Sequence, residues 1–242
     1  QGANVGYVSH IGQDAFGDSF MALWTSEGVD TSNVVQVADA HTGIYFVTHG
    51  EEGHDFSYFR AGSASSRMTP GDLPVDALRS AKILHLSGIS QGISDSAADT
   101  GFAAIEIVRK AGGLVSYDTN LREKLWPVAR ARAVIHAAVA QCDVALPGLD
   151  DAIILTGLSD PQDIVDFYLA LGAKTVALTL GPEGTLVGIA AESRLIPGRK
   201  VKAVDATGAG DTFDGAFLAH FVDSGDAFAA AHFANAAAAL ST

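Results

Sequence analysis

Asp211 follows the turn Gly208-Ala209-Gly210 and opens a helical run in which Phe213, Phe217 and Phe221 recur at i, i+4 and i+8. Small residues just before a helix leave several backbone N–H groups free and aimed at one point, and the helix dipole adds partial positive charge there. The natural guest of such a place is an anion. A carboxylate at that helix start is placed to take a proton from a hydroxyl attacking a bound phosphate. Phosphoryl transfer asks little else of a protein than such a base, charge neutralisation and positioning. Gly-x-Gly followed by Asp is, on its own, also the pattern of an ordinary turn with an acidic helix-start residue.

Two further stretches carry chemistry. Asp118-Thr119-Asn120-Leu121-Arg122 is a polar run directly after the apolar segment Leu114-Val115-Ser116-Tyr117. In open α/β sheets that edge, just past the strand, is where ligands bind. Arg122, together with Arg60 in Ser57-Tyr58-Phe59-Arg60, offers bidentate recognition of a carboxylate or phosphate. Thr179-Leu180-Gly181-Pro182-Glu183-Gly184 is a G-x-x-G turn, by itself a weak sign of a ligand loop. Asn235, in an Ala-rich helical segment, is either a ligand contact or a polar residue on a helix face. Asp14, in Gly12-Gln13-Asp14-Ala15-Phe16-Gly17, reads equally as a ligand or as a helix N-cap.

The elements that must position these residues follow from periodicity. Asn4 to His10 reads as a strand, with a helix to Glu27 after it. Between Val34 and Arg60 the pattern becomes two short β-rich runs around His49-Gly50-Glu51-Glu52-Gly53-His54, a hairpin lying off the main sheet. From Leu78 onward apolar strands (83–87, 114–117, 143–146 and 175–180) alternate with amphipathic helices, the signature of an α/β domain. The chain is 242 residues long, 48% hydrophobic and 18% charged, which suits one sizeable domain with a large core. Its formal net charge of −13, with no Lys/Arg-rich run, argues against nucleic acid or an acidic membrane surface as partner. No run reaches membrane-span length, and the single cysteine, Cys142, allows no internal disulfide, in keeping with a reducing cytoplasm. The eight histidines form no H-E-x-x-H pattern. The chain opens without a methionine and stops inside a helical pattern, so residues are expected to be missing at both ends.

The string D-A-T-G-A-G-D-T-F-D-G-A-F at 205–217 is very similar to the C-terminal signature of the ribokinase (PfkB-type) carbohydrate kinases. That resemblance extends over nearly the whole chain. It implies a ribokinase-like fold, a doubly wound three-layer α/β/α sheet with a small β lid, and MgATP as phosphate donor, with room for a monovalent cation. It also implies that Gly208, Ala209 and Gly210 form the anion hole, that Asp211 is the base, and that Thr207 sits beside the nucleotide phosphates. Thr179, Gly181, Glu183 and Gly184 would form the nucleotide loop, and Asn235 would touch the adenine. S-Y-F-R-A-G-S-A at 57–64, S-G-I-S at 87–90 and D-x-N-x-R-x-x-L-W at 118–126 resemble one branch, the 2-keto-3-deoxygluconate kinases. On that basis Tyr45, Tyr58, Arg60, Ile89, Asn120 and Arg122 would face an acidic sugar, and the lid would also pair subunits into a homo-oligomer.

The family commonly carries N-x-x-E near the end of a central strand, beside the Mg–phosphate assembly. Here the stretch reads Pro147-Gly148-Leu149-Asp150-Asp151, so the Asn contact is gone and Asp151 would act on the metal only through water. A P-loop kinase is excluded, because G-x-x-x-x-G-K-[ST] is absent. The expected activity is transfer of the γ-phosphate of ATP to the terminal hydroxyl of 2-keto-3-deoxygluconate. A neutral-sugar kinase such as fructokinase and a non-catalytic sugar- or nucleotide-binding relative are the alternatives.

Overall fold

Short apolar runs separated by amphipathic stretches bury themselves by pairing edge to edge under helices. A computed structural model describes residues 2–50 and 53–242, and divides them into two units.

The smaller unit takes in Ala3–Leu78 and Ser90–Ala104. Strand β1 (Gly6–Gly12) leads through helix α1 (Ala15–Ser26) to β2 (Asp30–Val37), which pairs with β1 in parallel. Asp14 settles its two sequence readings as the N-cap of α1. Its Oδ1 accepts from the N–H of Phe16 and Gly17 at 3.1 and 2.9 Å and from Thr42 Oγ1 at 2.8 Å, while Oδ2 accepts from Thr42 N–H at 2.8 Å. These bonds hold its carboxyl below the usual range, the Thr42 amide contributing most. Strands β3 (Ile44–Gly50) and β4 (Gly53–Phe59) form the expected antiparallel hairpin, a two-stranded sheet of its own, with Tyr45 opposite Tyr58. Of the turn read from the sequence, Glu51 and Glu52 lie outside the described residues.

After the short helix α2 (Val75–Ser80), the larger unit is built on β5 (Ile83–Ser87), β6 (Leu114–Asp118), β7 (Val144–Leu146), β8 (Thr175–Thr179), β9 (Gly184–Ile189) and β10 (Glu192–Pro197). They form one six-stranded sheet in chain order, parallel from β5 to β8 and antiparallel from β8 to β10. The intervening helices are α3 (Gly88–Gly92), α4 (Asp95–Ala111), α5 (Val128–Val139), α6 (Leu149–Thr156) and α7 (Pro161–Leu171). Helices α8 (Ala209–Ser224) and α9 (Ala227–Leu240) end the chain. Their caps explain the boundaries. Asp160 and Asp226 each accept two first-turn N–H groups, and Gly157 and Gly225 end their helices in the left-handed conformation. The i, i+4, i+8 phenylalanines of α8 do what their spacing predicts. Phe213 and Phe217 are buried with Leu146, Ala177 and Val187, and the three rings stack at 5.9 and 5.6 Å. That stripe seats the start of α8 on the sheet. No helix among the described residues is long and apolar enough to cross a membrane.

Candidate active site

Gly208 stands at the N-terminus of α8 with φ 79°, a left-handed conformation that only glycine adopts without strain. No side chain caps this helix end. The N–H groups of Gly210 and Asp211 fall in the first turn, where no intrahelical acceptor exists. Ala209 differs from its neighbours. Its N–H donates to Ala206 O at 3.1 Å, so of the three residues expected to form the anion hole it is the one whose N–H is engaged in the turn. Thr207 is fixed through its own N–H, which donates to Asp205 Oδ1 at 2.8 Å. The Asp211 carboxylate folds back over this turn, since a Cβ built on Gly208 would lie 4.0 Å from Asp211 Oδ2. A Cβ on Gly210 would meet nothing within 4 Å. The helix start is thus an open cradle of backbone N–H with an exposed carboxylate at its rim.

Two more carboxyls act on this site electrostatically: Asp118, which heads the polar run at the end of β6, and Asp214, to which the sequence reading gave no role. Asp214, one turn after Asp211 on α8, is 7% exposed, and burial followed by the charges of Asp118 and Asp211 pushes its carboxyl well above the usual range. Asp118, the last residue of β6, is pushed up to about 7, first by burial and then by the charges of Asp211 and Asp151. Hydrogen bonds from Asn120 pull the other way. Asp118 at the end of β6 and Asp214 on α8 thus both feel the charge of Asp211. The folded state holds a proton on Asp118 that the unfolded chain releases near pH 4. Stability therefore falls as pH rises from about 4 to about 7 and is level above that. Asp118→Asn removes the penalty and is expected to stabilise the fold by about 1–3 kcal/mol at pH 8. The gain should be clearly smaller at pH 5. Urea melts of both proteins at the two pH values measure it, and a pH-independent difference would contradict the assignment.

The loop after β6 is tightly specified. Asn120 has φ 29°, the one positive value at a non-glycine among the described residues. Its N–H donates to Asp118 Oδ1 at 3.0 Å, and the next N–H, of Leu121, donates to Asp151 Oδ2 at 2.8 Å. Gly88 must be glycine here, because a Cβ would sit 2.2 Å from Thr119 O. Ile89 follows it on α3, partly buried. Thr119 Oγ1 and Asn120 Oδ1 are buried with no hydrogen-bond partner among the described residues. Arg122 Nη1 donates to Leu121 O at 2.8 Å. Asp151, expected near a metal, has one oxygen committed to this loop. Among the described residues no three His, Cys, Asp or Glu are arranged to hold a metal ion.

The glycine turn after β8 is a 3-10 turn, Gly181–Glu183, closed by Leu180 N–H to Gly184 O at 2.8 Å. Gly181 and Gly184 have φ 58° and 112°, and a Cβ at Gly184 would lie 2.1 Å from Ile196 O. Thr179 is tied across the sheet by its N–H to Pro147 O at 2.9 Å, and Glu183 is exposed.

Asn235, expected at the adenine, is hydrogen-bonded within the protein. It is 8% exposed; its Oδ1 accepts from the buried Thr185 Oγ1 at 2.7 Å, and its Nδ2 donates to Ile196 O at 3.0 Å. The amide ties α9 to the β9–β10 hairpin. Asn235→Ala strands a buried hydroxyl and a carbonyl, and is expected to cost about 2–4 kcal/mol in urea unfolding. If this tie is its task, ATP KM should move less than threefold; a large KM rise at unchanged stability would assign Asn235 to the nucleotide.

In the smaller unit Tyr45, Tyr58 and Arg60 come together on the hairpin. The two tyrosine rings are 6.1 Å apart, and the Arg60 guanidinium lies 5.8 Å from the Tyr45 centroid. Arg60 Nε is buried with no hydrogen-bond partner among the described residues.

The pfkB family carbohydrate kinase profile matches residues 1–242. The chain belongs to the PfkB family of carbohydrate kinases. It is 33% identical over 216 residues to 2-dehydro-3-deoxygluconokinase of Bacillus subtilis (strain 168), covering 88% of this chain and 67% of that protein. It is 35% identical over 226 residues to fructokinase-1 of Oryza sativa subsp. japonica, covering 91% and 69%. Among solved structures, the fructokinase of Vibrio cholerae O395 with fructose, ADP and calcium ion superposes with a TM-score of 0.89 at 28% identity, covering 99% of this chain and 80% of that one. As a PfkB kinase, the chain carries its family signature on the same turn that forms the cradle at α8.

Proposed function

We propose that this sugar kinase transfers the γ-phosphate of ATP to the terminal hydroxyl of 2-keto-3-deoxygluconate, with Asp211 as general base. The observation that carries the phosphoryl-transfer part is the Asp211 carboxylate folded over the uncapped, glycine-formed start of α8. Asp211 accepts the proton of the attacking hydroxyl, while the N–H groups of Gly208 and Gly210 receive the charge that develops on the phosphoryl oxygens. Thr179 and Thr207 offer side-chain hydroxyls to the nucleotide, and Gly181, Glu183 and Gly184 form the turn that lies against it. Mg²⁺ suits a site with one or two carboxylates plus phosphate oxygens, and when bound it neutralises phosphate charge. The carboxylates available at the start of α8 fit that donor set, and the Vibrio cholerae relative is described with ADP and a divalent ion.

Sugar binding is supported by the buried, unpartnered Thr119 Oγ1 and Asn120 Oδ1 at the ligand edge of β6. Native structures pair nearly all buried polar groups, so a polyol is a fitting partner. The acidic substrate is supported by Arg60 and Arg122, each with guanidinium N–H groups to offer a carboxylate, and by the similarity to the Bacillus subtilis enzyme. A neutral sugar is the second reading, because the rice fructokinase is equally similar. The deciding experiment is a coupled ADP-release assay over 2-keto-3-deoxygluconate, fructose, ribose and gluconate. Preference for fructose by tenfold or more in kcat/KM would replace the acidic-sugar reading, and no turnover on any sugar would remove the catalytic one.

A further inference from the structure

Asp151 occupies the first turn of α6, whose N-terminus has no side-chain cap. It does not serve its own helix. Its Oδ2 reaches the substrate loop and accepts from Leu121 N–H at 2.8 Å, and Leu121 is 4% exposed, so little water competes for the amide. The residue before Leu121 is Asn120, held at φ 29°, a conformation that persists only where its surroundings dictate it. Two carboxylates do so from either side, Asp118 at the Asn120 N–H and Asp151 at the Leu121 N–H. The carbonyl of the same Leu121 then takes the Arg122 Nη1 hydrogen bond at 2.8 Å. Leu121 is therefore gripped at its N–H by Asp151 and at its carbonyl by Arg122, so where the guanidinium points depends on where Asp151 holds the residue.

We propose that Asp151 is a positioning residue for Arg122, anchoring the substrate loop through the Leu121 N–H in place of a contact to the metal–phosphate assembly. Electrostatics agrees. Burial raises the Asp151 carboxyl, and the Leu121 amide followed by Arg122 are what favour its charged form.

The arm that reads sugar affinity rests on the sugar-acid reading above, and an exchange arm does not. Asp151→Ala removes the acceptor, whereas Asp151→Asn keeps an Oδ1 acceptor and removes the charge. Hydrogen–deuterium exchange of the peptide carrying Leu121 is expected to quicken about tenfold or more in the alanine variant and to stay within about threefold of the parent in the asparagine variant. In steady state, Asp151→Ala should raise the 2-keto-3-deoxygluconate KM about tenfold, Asp151→Asn should recover most of that loss, and neither should shift the Mg²⁺ half-saturation. Unchanged exchange at Leu121 in the alanine variant overturns the anchor, whatever the enzyme does. A raised Mg²⁺ requirement shared by both variants, with the sugar KM unmoved, overturns it in favour of a metal role. The expected exchange pattern without turnover on the sugar acid would sink the substrate assignment and leave the anchor standing. If the alanine variant does not fold, the asparagine variant decides alone, since a shifted Mg²⁺ requirement in it refutes the anchor and an unshifted one with the parent's exchange supports it.

Discussion

Replacing Asp211 by Asn is expected to lower kcat by about 10²–10⁴-fold, the range general-base catalysis contributes. The size and shape of the side chain are kept, and the cradle of backbone N–H groups at Gly208 and Gly210 is untouched, so ATP KM should change less than threefold. The surroundings add a control. Asp211 lies among Asp118 and Asp214, each pushed up partly by its charge, so removing that charge relieves repulsion. The variant should therefore melt at the parent's temperature or above it. Steady-state kinetics and a thermal melt on the same preparation read both quantities. Near-normal kcat removes Asp211 as the base, and a fall in kcat accompanied by a lower melting temperature would trace the loss to folding.

The site is legible in the sequence where function is written in local backbone. The turn before Asp211 needs a glycine at a left-handed position, a helix follows on phenylalanines spaced by four, and the structure returns both at Gly208 and along α8. The parallel strands and their helices were readable for the same reason, since hydrophobic period is a local property. What local pattern does not carry is the identity of distant partners. Asp14 is equally a ligand or a cap until Thr42, 28 positions on, is seen to occupy its second oxygen. Asn235 looks free on an Ala-rich helix until Thr185, 50 positions earlier, takes its oxygen. Asp214 shows the limit most clearly. It stands three residues after Asp211 in the signature itself, yet only its burial, which no spacing rule supplies, distinguishes it from a solvated helix residue. The Asp151 case has the same origin, because a carboxylate at a familiar position tells nothing of an amide 30 residues away.

Arg122→Ala is expected to raise the KM for 2-keto-3-deoxygluconate about ten- to hundredfold. A chain with formal net charge −13 repels an acidic sugar unless positive charge meets it locally. On the proposed reading Arg122 would supply that charge just past β6, next to Thr119 and Asn120, whose buried side-chain oxygens have no hydrogen-bond partner among the described residues. A hydrogen bond to a charged carboxylate contributes about 1.5–3 kcal/mol, which sets the fold-change. Arg60→Ala, tested separately, should show the same selectivity. The buried Nε of Arg60 has no hydrogen-bond partner among the described residues, and its contact with the Tyr45 face leaves the guanidinium edge available. On fructose, which carries no carboxylate, each change should cost less than about threefold, because the charged partner is absent from that substrate. The measurement is the ratio of KM values on the two sugars, parent against variant. A KM rise by the same factor on both substrates would assign the arginines to the structure of their loops and favour the neutral-sugar reading. A loss confined to the acid would make the carboxylate the group this kinase recognises.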